Sequence, residues 1–532
     1  MTTTMARRVA PVVTGGTAQG AGNGRRAAVL ATVCVAVFAI NIDTTIVNVA
    51  LPDLGRQLHA GTGTLQWVVD AYNLAFAALV LAGGSIGDRF GRRPALIVGL
   101  MGFALSSAGA ALAGGAGALI TFRALMGCAA ALIYPTTLSI IANTFPNRVQ
   151  RAKAIGVWGA VTGIGVAVGP VAGGALLTHF AWGSVFVALI PVALLAAALS
   201  FAFVPESRSL DKVHTDLRGL ATSSLAIGSL VYSFIEAPSH GWLAARTLAG
   251  FAIFVAGAVV FVMIERRADD PMIDLSLFRM PAFSAASASV TVAFFALFGF
   301  IFIVTQYMQL LRGWGPLSAG MRTLPVAAGI AVGSAISPRF ATRLGVRYIV
   351  MAGLVLLGTS FAWIATSAEN EPYTSIAFQM VVMGLGLGLT TTPATESVLS
   401  VLPPAKAGLG SAVNDATREA GGTLGVAVVG SVFTTAYLNR LSGAGLRSLP
   451  VGALHAARSS VGSALVAAHE IGGPAGSALQ VAARSSFMTG FHAACIVAAA
   501  ICVAGAVGAR SLPGRAKSRA TTPNLAAAGT PA

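Results

Sequence analysis

The sequence predicts an all-α polytopic membrane protein: two six-helix bundles plus an inserted helix pair, about fourteen transmembrane helices in all. Three observations predict it. Of 532 residues, 55% are hydrophobic and only 10% charged, too little polar surface to cover a soluble protein of this size. Apolar runs of about 18–25 residues recur along the chain, and about 20 residues cross some 30 Å of hydrocarbon. The cations crowd into alternate short loops, the pattern that holds such loops in the cytoplasm. Lys+Arg 34 against Asp+Glu 18 leaves a net charge of +16; topology accounts for that excess, so no nucleic-acid partner is expected.

Taken in order, a cytoplasmic N-terminal tail covers 1–26 and a six-helix bundle 27–204. The first span is expected from Ala27 to Leu51, ended by Pro52, and the second from Leu65 to Ser85. The charged turn GDRFGRRP separates the second span from the third, Ala95 to Ala113, and the fourth runs from Ala116 to Ala142. A basic segment with Arg148, Arg151 and Lys153 leads into the glycine-dense fifth span, WGAVTGIGVAVGPVAGG, Trp158 to Gly174. Read as a helix, its small residues fall four apart in two ridges, Gly159/Gly163/Ala167 and Gly165/Gly169/Gly173, along which another backbone can approach closely. Pro170 adds a bend. The sixth span ends near Val204.

A linker segment, 205–282, carries two extra spans, Gly219 to Ala237 and Leu248 to Ile264. Six more spans begin near Phe283, Leu317, Tyr348, Ser375, Gly408 and Ser486, forming a C-terminal bundle over 283–509. It includes a long Ala/Gly/Ser-rich extracytoplasmic loop, 439–484, and precedes a cytoplasmic tail, 510–532. An even span count sets both termini on one side, and the basic loops make that side the cytoplasm. The first apolar run leads directly into Asn41 and Asp43 without a small-residue cleavage pattern, so no cleaved signal peptide is expected. Cys34, Cys128, Cys495 and Cys502 sit in apolar stretches without metal-ligand spacing and read as small packing residues. A weak repeat relates the halves: Arg89-Phe90-Gly91-Arg92-Arg93 after the second span matches Arg343-Leu344-Gly345-Val346-Arg347, with Thr342 where Asp88 stands.

The stretch GSIGDRFGRRP, Gly84 to Pro94, resembles the loop signature of the major facilitator superfamily. Gly84, Gly87 and Gly91 permit a tight turn, Asp88 can pair with an arginine or a helix N-terminus, and Arg89, Arg92 and Arg93 suit the anionic inner leaflet. Such a gating loop would act as a charge–dipole latch on one of two states. The fifth span is similar to the antiporter motif of the same superfamily at Gly163, Gly165, Gly169, Pro170, Gly173 and Gly174. Arg123-Ala124-Leu125-Met126-Gly127 is similar to its arginine-to-glycine proton-transfer motif, with Met126 where Gln is usual. The string from Asp43 to Pro52, DTTIVNVALP, resembles the signature of the fourteen-span drug:proton antiporter family. Trp182-Gly183-Ser184-Val185-Phe186 departs from that family's entry to the sixth helix by losing an arginine and one aromatic. The resemblance implies a proton-coupled antiporter exporting small hydrophobic or amphipathic compounds across the cytoplasmic membrane by alternating access. Its alternative is a dedicated exporter of an endogenous metabolite or lipid; a membrane-embedded enzyme or a passive uniporter stands further off.

Ionisable residues within spans are costly and face protein or aqueous cavities. Asp43 lies about 24 Å along the first span from its inner end, and Asp70 and Arg123 about 8 and 10 Å along inward-running helices. All three are therefore expected in one layer, with Asp43 the main coupling acid and Asp70 and Arg123 tuning it. Tyr72, Gln306, Tyr307, Gln309 and Asn414 combine apolar bodies with polar tips and are expected to line a central substrate cavity. Asp415, Arg418 and Glu419 read as local helix pairs and Glu236 as interfacial. The seven histidines form no ligand cluster and no phosphate-binding Gly-rich loop is present. No metal or cofactor is expected, and the proton gradient is the energy source. Its partners are a small-molecule substrate, protons and the lipid bilayer.

Overall fold

The computed structural model describes residues 23–208, 217–268, 275–400, 407–444, 446, 449–512 and 514. Most of both expected tails and parts of the two polar linkers lie outside the described residues. The N-terminal half comprises α1 (Asn23–Gln57), α2 (Thr62–Phe90), α3 (Arg92–Ala111), α4 (Ala116–Thr144), α5 (Arg148–His179), α6 (Ser184–Val187) and α7 (Leu189–Phe203). The inserted pair is α8 (Leu217–His240) and α9 (Ala245–Glu265). The C-terminal half follows: α10 (Pro281–Gln306), a π-helical turn at Tyr307–Leu311, α11 (Pro316–Arg322), α12 (Leu324–Leu344), α13 (Val346–Ile364), α14 (Tyr373–Ser400), α15 (Ala407–Ser442), α16 (Val451–Ser459), α17 (Val461–Ile471) and α18 (Gly473–Gly508). Among the described residues thirteen helical segments are long and apolar enough to span a bilayer, fourteen when the bent α2 is counted. The outer faces carry large apolar side chains, such as Leu105 and Phe201 at 68% and 71% exposure, whereas Asp43, Asp70 and Arg123 are buried within. That inversion suits a chain whose solvent is lipid.

The packing repeats between halves. In the first, α1 packs on α5, α2 on α4, and α3 on α4 and α7; in the second, α10 packs on α15, α12 on α14, and α13 on α14 and α18. The sequence repeat has the same backbone in both copies. Gly91 has φ 110° and ψ 135°, Gly345 φ 100° and ψ 147°, and each alone joins two helices. This is a region that only glycine enters without strain.

Three sequence boundaries shift. Pro52 does not end α1, which continues to Gln57. Proline loosens the helical ladder just before it, and the Gln309 amide of the other half donates to the Val49 carbonyl at 2.9 Å. The turn GDRFGRR is helical up to Phe90, leaving only Gly91 outside a helix. The segment 439–484 is largely helical rather than a loop: α15 runs on to Ser442, α16 and α17 lie within it, and α18 begins at Gly473 instead of near Ser486. Alanine-rich composition favours helix, and the Ser460 hydroxyl caps α17 by accepting from the Ser463 N–H at 3.1 Å.

The halves meet along two reciprocal seams, α2 on α15 and α5 on α11. A Cβ built on Gly174 would stand 2.5 Å from Leu317 Cα, and one on Gly320 2.1 Å from the Pro170 carbonyl oxygen. On the other seam, the Gln66 amide donates to the Val426 and Ala427 carbonyls, both at 3.2 Å. Beyond them, Gly61 sits against the backbone of Ser459. These contacts gather toward the end of the bundle opposite the basic turns at Gly91 and Gly345.

Candidate functional site

Three of the sequence motifs converge on α1. Asp43 and Arg123, on α1 and α4, form an ion pair with side-chain exposures of 0% and 1%. Arg123 Nη1 donates to both carboxylate oxygens, at 2.8 and 2.7 Å. Arg123 Nε donates to the Val68 carbonyl at 3.1 Å, and the guanidinium lies 4.4 Å from the centroid of the Tyr72 ring. The arginine is thus held from α2 by a carbonyl and a π face while it holds the acid of α1. A charge pair in such a dry place persists only while both members are charged and bonded. Protonating Asp43 would remove the charge that Arg123 faces and leave the arginine to its neutral partners.

Asp70 is placed differently from the expectation. It is fully buried, but neither carboxylate oxygen has a hydrogen-bond partner and no ion pair joins it to Arg123. The reason is helical phase. Gln66, Asp70 and Asn73 fall at i, i+4 and i+7 on α2, the stripe on which Gln66 bonds to α15. Arg123 instead meets α2 at Val68 and Tyr72.

The residues of the α1 motif also form the bed for the glycines of α5. Added Cβ atoms would stand 2.9 Å from Asn41 Cβ at Gly165, 2.0 Å from Thr45 Oγ1 at Gly169 and 2.7 Å from Ile46 Cγ1 at Gly173. The Thr45 hydroxyl spans the same contact by donating to the Val166 carbonyl at 3.1 Å. The other expected ridge does not pack: nothing lies within 4 Å of a Cβ at Gly159 or Gly163. Gly163, Pro170 and Gly174 share a stripe by helical spacing. Its later part meets α11 of the opposite half; its earlier part faces open space. The α5 seam therefore opens toward the end that carries the basic turns.

At that end the turn of the first half is bonded within its own half. Asp88 accepts from Arg92 Nε at 2.8 Å. Arg93 donates to the Phe201 carbonyl at 2.5 Å and stacks on the Phe201 ring at 4.8 Å, and the Arg92 N–H donates to the Ser207 carbonyl at 2.9 Å. Gly84 and Gly87 let α2 lie on Pro135 and Thr136 of α4, and Arg89 lies against Phe90. These bonds hold the turn to α3 and to the end of α7.

The five residues expected to line one cavity each make a different contact. Tyr72 lies under Arg123. Gln306 donates to its own helix at the Phe302 carbonyl, 3.0 Å. Tyr307 stacks on Phe491 at 5.2 Å and donates to the Glu369 carbonyl at 3.1 Å. Gln309 joins α1, and Asn414 Oδ1 accepts from Thr395 at 3.1 Å. Tyr307 and Phe491 border a gap of about 10 Å³, room for one water at most. Intramolecular partners engage the polar tips of Gln306, Tyr307, Gln309 and Asn414, whereas the Tyr72 hydroxyl is buried without a hydrogen-bond partner. Of the cysteines, Cys34, Cys495 and Cys502 are buried and Cys128 is exposed on α4. Glu236 pairs with His240 at 3.2 Å near the end of α8.

A second charged group does more than pair locally. Arg418 does pair with Asp415, at 3.7 Å on α15, but it also donates to the Tyr134 hydroxyl of the first half at 3.4 Å and lies 4.5 Å from the Phe294 ring centroid. Asp415 Oδ2 and Glu419 Oε2 are buried without a hydrogen-bond partner. Tyr134 continues an aromatic ladder, Tyr72–Phe76–Tyr134–Trp158, with centroid spacings of 6.1, 5.6 and 5.1 Å. The ladder links the Arg123 site to α5 and, through Tyr134, to α15. Its sequence signal was weak, because aromatics in spans usually face lipid or packing. Among the described residues no group of three or more His, Cys, Asp or Glu is placed to hold a metal ion.

Residues 33–426 match the family model described as Major Facilitator Superfamily. The chain is 35% identical over 480 residues to the multidrug efflux pump LfrA of Mycolicibacterium smegmatis, covering 90% of this chain and 94% of that protein. It is 35% identical to the multidrug resistance protein Stp of Mycobacterium tuberculosis, over 74% of each. It is 33% identical to the tetracenomycin C resistance and export protein of Streptomyces glaucescens, over 76% of each. Among solved structures, a bacterial homologue of the human lysosomal transporter Spinster, inward-facing and unoccupied, superposes with a TM-score of 0.64 at 17% identity. The match covers 92% of this chain and 98% of that one.

Proposed function

Because the chain belongs to the Major Facilitator Superfamily, we propose that it is a proton-coupled antiporter that exports small hydrophobic or amphipathic compounds, such as drugs, antibiotics or toxic metabolites. The observation that carries this reading is the buried Asp43–Arg123 pair, set where α1 meets both α4 and the glycine ridge of α5. The names of the relatives, multidrug efflux and antibiotic resistance proteins, support the cargo class. The family and the names of the relatives support a transporter.

In this reading the chain lies in the cytoplasmic membrane with the basic turns and both termini in the cytoplasm. The joined ends of the seams then face outside, and the opening beside Gly159 and Gly163 faces the cytoplasm. Cargo enters there from the cytosol or inner leaflet. A proton taken up by Asp43 from outside loosens its hold on Arg123; loss of that proton to the cytoplasm restores the pair. Differential proton affinity in the two states couples the gradient to export. Asp70, buried on the α2 seam, and Arg123 tune the exchange, and the proton gradient replaces any cofactor.

The test is transport of dyes and drugs in inverted vesicles, with and without a collapser of the proton gradient. Asp43→Asn should abolish gradient-driven export while cargo still binds. Undiminished gradient-driven export by that variant would remove Asp43 from the coupling role, and gradient-independent export by the unaltered protein would remove antiport. A substrate panel separates a broad exporter from a dedicated exporter of one metabolite or lipid.

A further inference from the structure

We propose that the groove between α2 and the inserted helix pair binds an anionic phospholipid, with its headgroup on Arg246 and an acyl chain lying along α9. The groove, about 570 Å³, is bordered by Trp67 and Leu74 of α2, Gly228 and Tyr232 of α8, and Arg246 and Ile253 of α9.

Its shape follows from how the pair is attached. Small residues bring α8 and α9 close: a Cβ on Gly250 would stand 2.1 Å from Ser233 Oγ, and one on Gly257 3.2 Å from Ala226 Cβ. The α8 helix is then seated on the α2–α15 seam through Val231, Ile235 and Ala427, with Trp67 beside them. The Trp242 indole N–H adds a bond to the Thr435 hydroxyl at 3.3 Å. Held behind α8, α9 leaves a wedge between itself and α2.

The chemistry of the wedge changes along its length. Ser224 and Ser229 border it, but their hydroxyls donate to the Leu220 and Ala226 carbonyls of their own helix, at 2.7 and 3.0 Å. They offer little to a headgroup. Arg246 stands one residue into α9 and is exposed. It lies 5.7 Å from the Tyr232 ring centroid and 3.5 Å from His240 Nε2. The nearby carboxylate, Glu236, pairs with His240, and no carboxylate among the described residues pairs with Arg246. Ile253 follows seven residues later, about 10 Å deeper at 1.5 Å per residue. An exposed cation at the rim above an apolar channel that takes the upper part of an acyl chain matches a phospholipid bearing negative charge. A hydrophobic cation would meet the arginine's repulsion.

The test uses the full chain in vesicles of equal phosphatidylcholine and phosphatidylglycerol, with bromine on the acyl chains of one lipid or the other. The part of the quenching that Trp67→Phe removes reports on the groove. Brominated phosphatidylglycerol should quench Trp67 with a preference of up to about fivefold over brominated phosphatidylcholine, as one exposed basic side chain facing one anionic lipid implies. Arg246→Gln should erase the preference and Arg246→Lys retain it. Equal quenching of Trp67 by the two lipids in the unaltered protein overturns the proposal. So does a preference that survives Arg246→Gln, or displacement of phosphatidylglycerol by a cationic dye.

Discussion

At the scale of single residues, Asp43 and Arg123 are each other's condition for being buried. Removing one charge leaves the other without its partner at 1% exposure, a loss of about 3–5 kcal/mol for buried pairs. Asp43→Asn is therefore expected to lower the thermal stability of the purified protein as well as gradient-driven export. The double variant Asp43→Asn, Arg123→Gln should recover much of the stability, because neither charge remains to be desolvated, while export stays uncoupled. Thermal unfolding in detergent beside vesicle transport checks both, and recovery of coupled export in the double variant would contradict the proposed role. The cost of ionisable groups in lipid singled out Asp43, Asp70 and Arg123 in the sequence. It did not say which two would bond, since that depends on helix phase and on the carbonyl of Val68. For the same reason the role of Gln66 emerges only in the structure, although its four-residue spacing from Asp70 on an apolar helix is a readable signal.

At the scale of elements, α5 shows how one glycine pattern serves two purposes. Gly169 is packed so tightly on α1 that a Cβ would stand 2.0 Å from Thr45 Oγ1, and overpacking of this kind typically costs about 1–3 kcal/mol or more. Gly169→Leu should impair both stability and export. Gly163 has nothing within 4 Å, so Gly163→Leu should change stability by no more than about 0.5 kcal/mol. If the proposed alternation closes that open face, Gly163→Leu still slows export; normal export by this variant would show that the face never closes. The turn glycine of the repeat makes a separate case. At φ 100° and ψ 147°, Gly345→Ala should cost about 1–3 kcal/mol, measurable as a lower unfolding temperature. The two ridges of α5 looked alike in the sequence because spacing defines a face without naming its neighbour. Over 439–484 the helix propensity of the alanines prevails over the length and polarity that suggest a loop.

At the scale of the whole molecule, the halves are joined by α2 with α15 and α5 with α11, and the inserted pair sits over the first of these seams. Gly61 and Ser459 meet at the joined end, where a Cβ on Gly61 would stand 3.8 Å from Ser459 Cα, close enough for a disulfide. In a background with the four native cysteines replaced, Gly61→Cys with Ser459→Cys should crosslink on oxidation, block export and recover on reduction. Export undisturbed by a complete crosslink would show that this end need not part.

The sequence by itself determined that the chain is a helical membrane protein, how many spans it has, where its motifs lie and which family it resembles. Apolar length, charge placement and glycine spacing are local quantities, and each is complete within one segment. Only the tertiary structure decided that Arg123 bonds Asp43 and not Asp70, which ridge of α5 is packed, that four of the five supposed cavity residues are already engaged, and that the seams are joined at one end. Each of these depends on the rotation and depth of one helix against another. In a bilayer that choice is made by close packing of small residues and by buried polar partners drawn from distant parts of the chain.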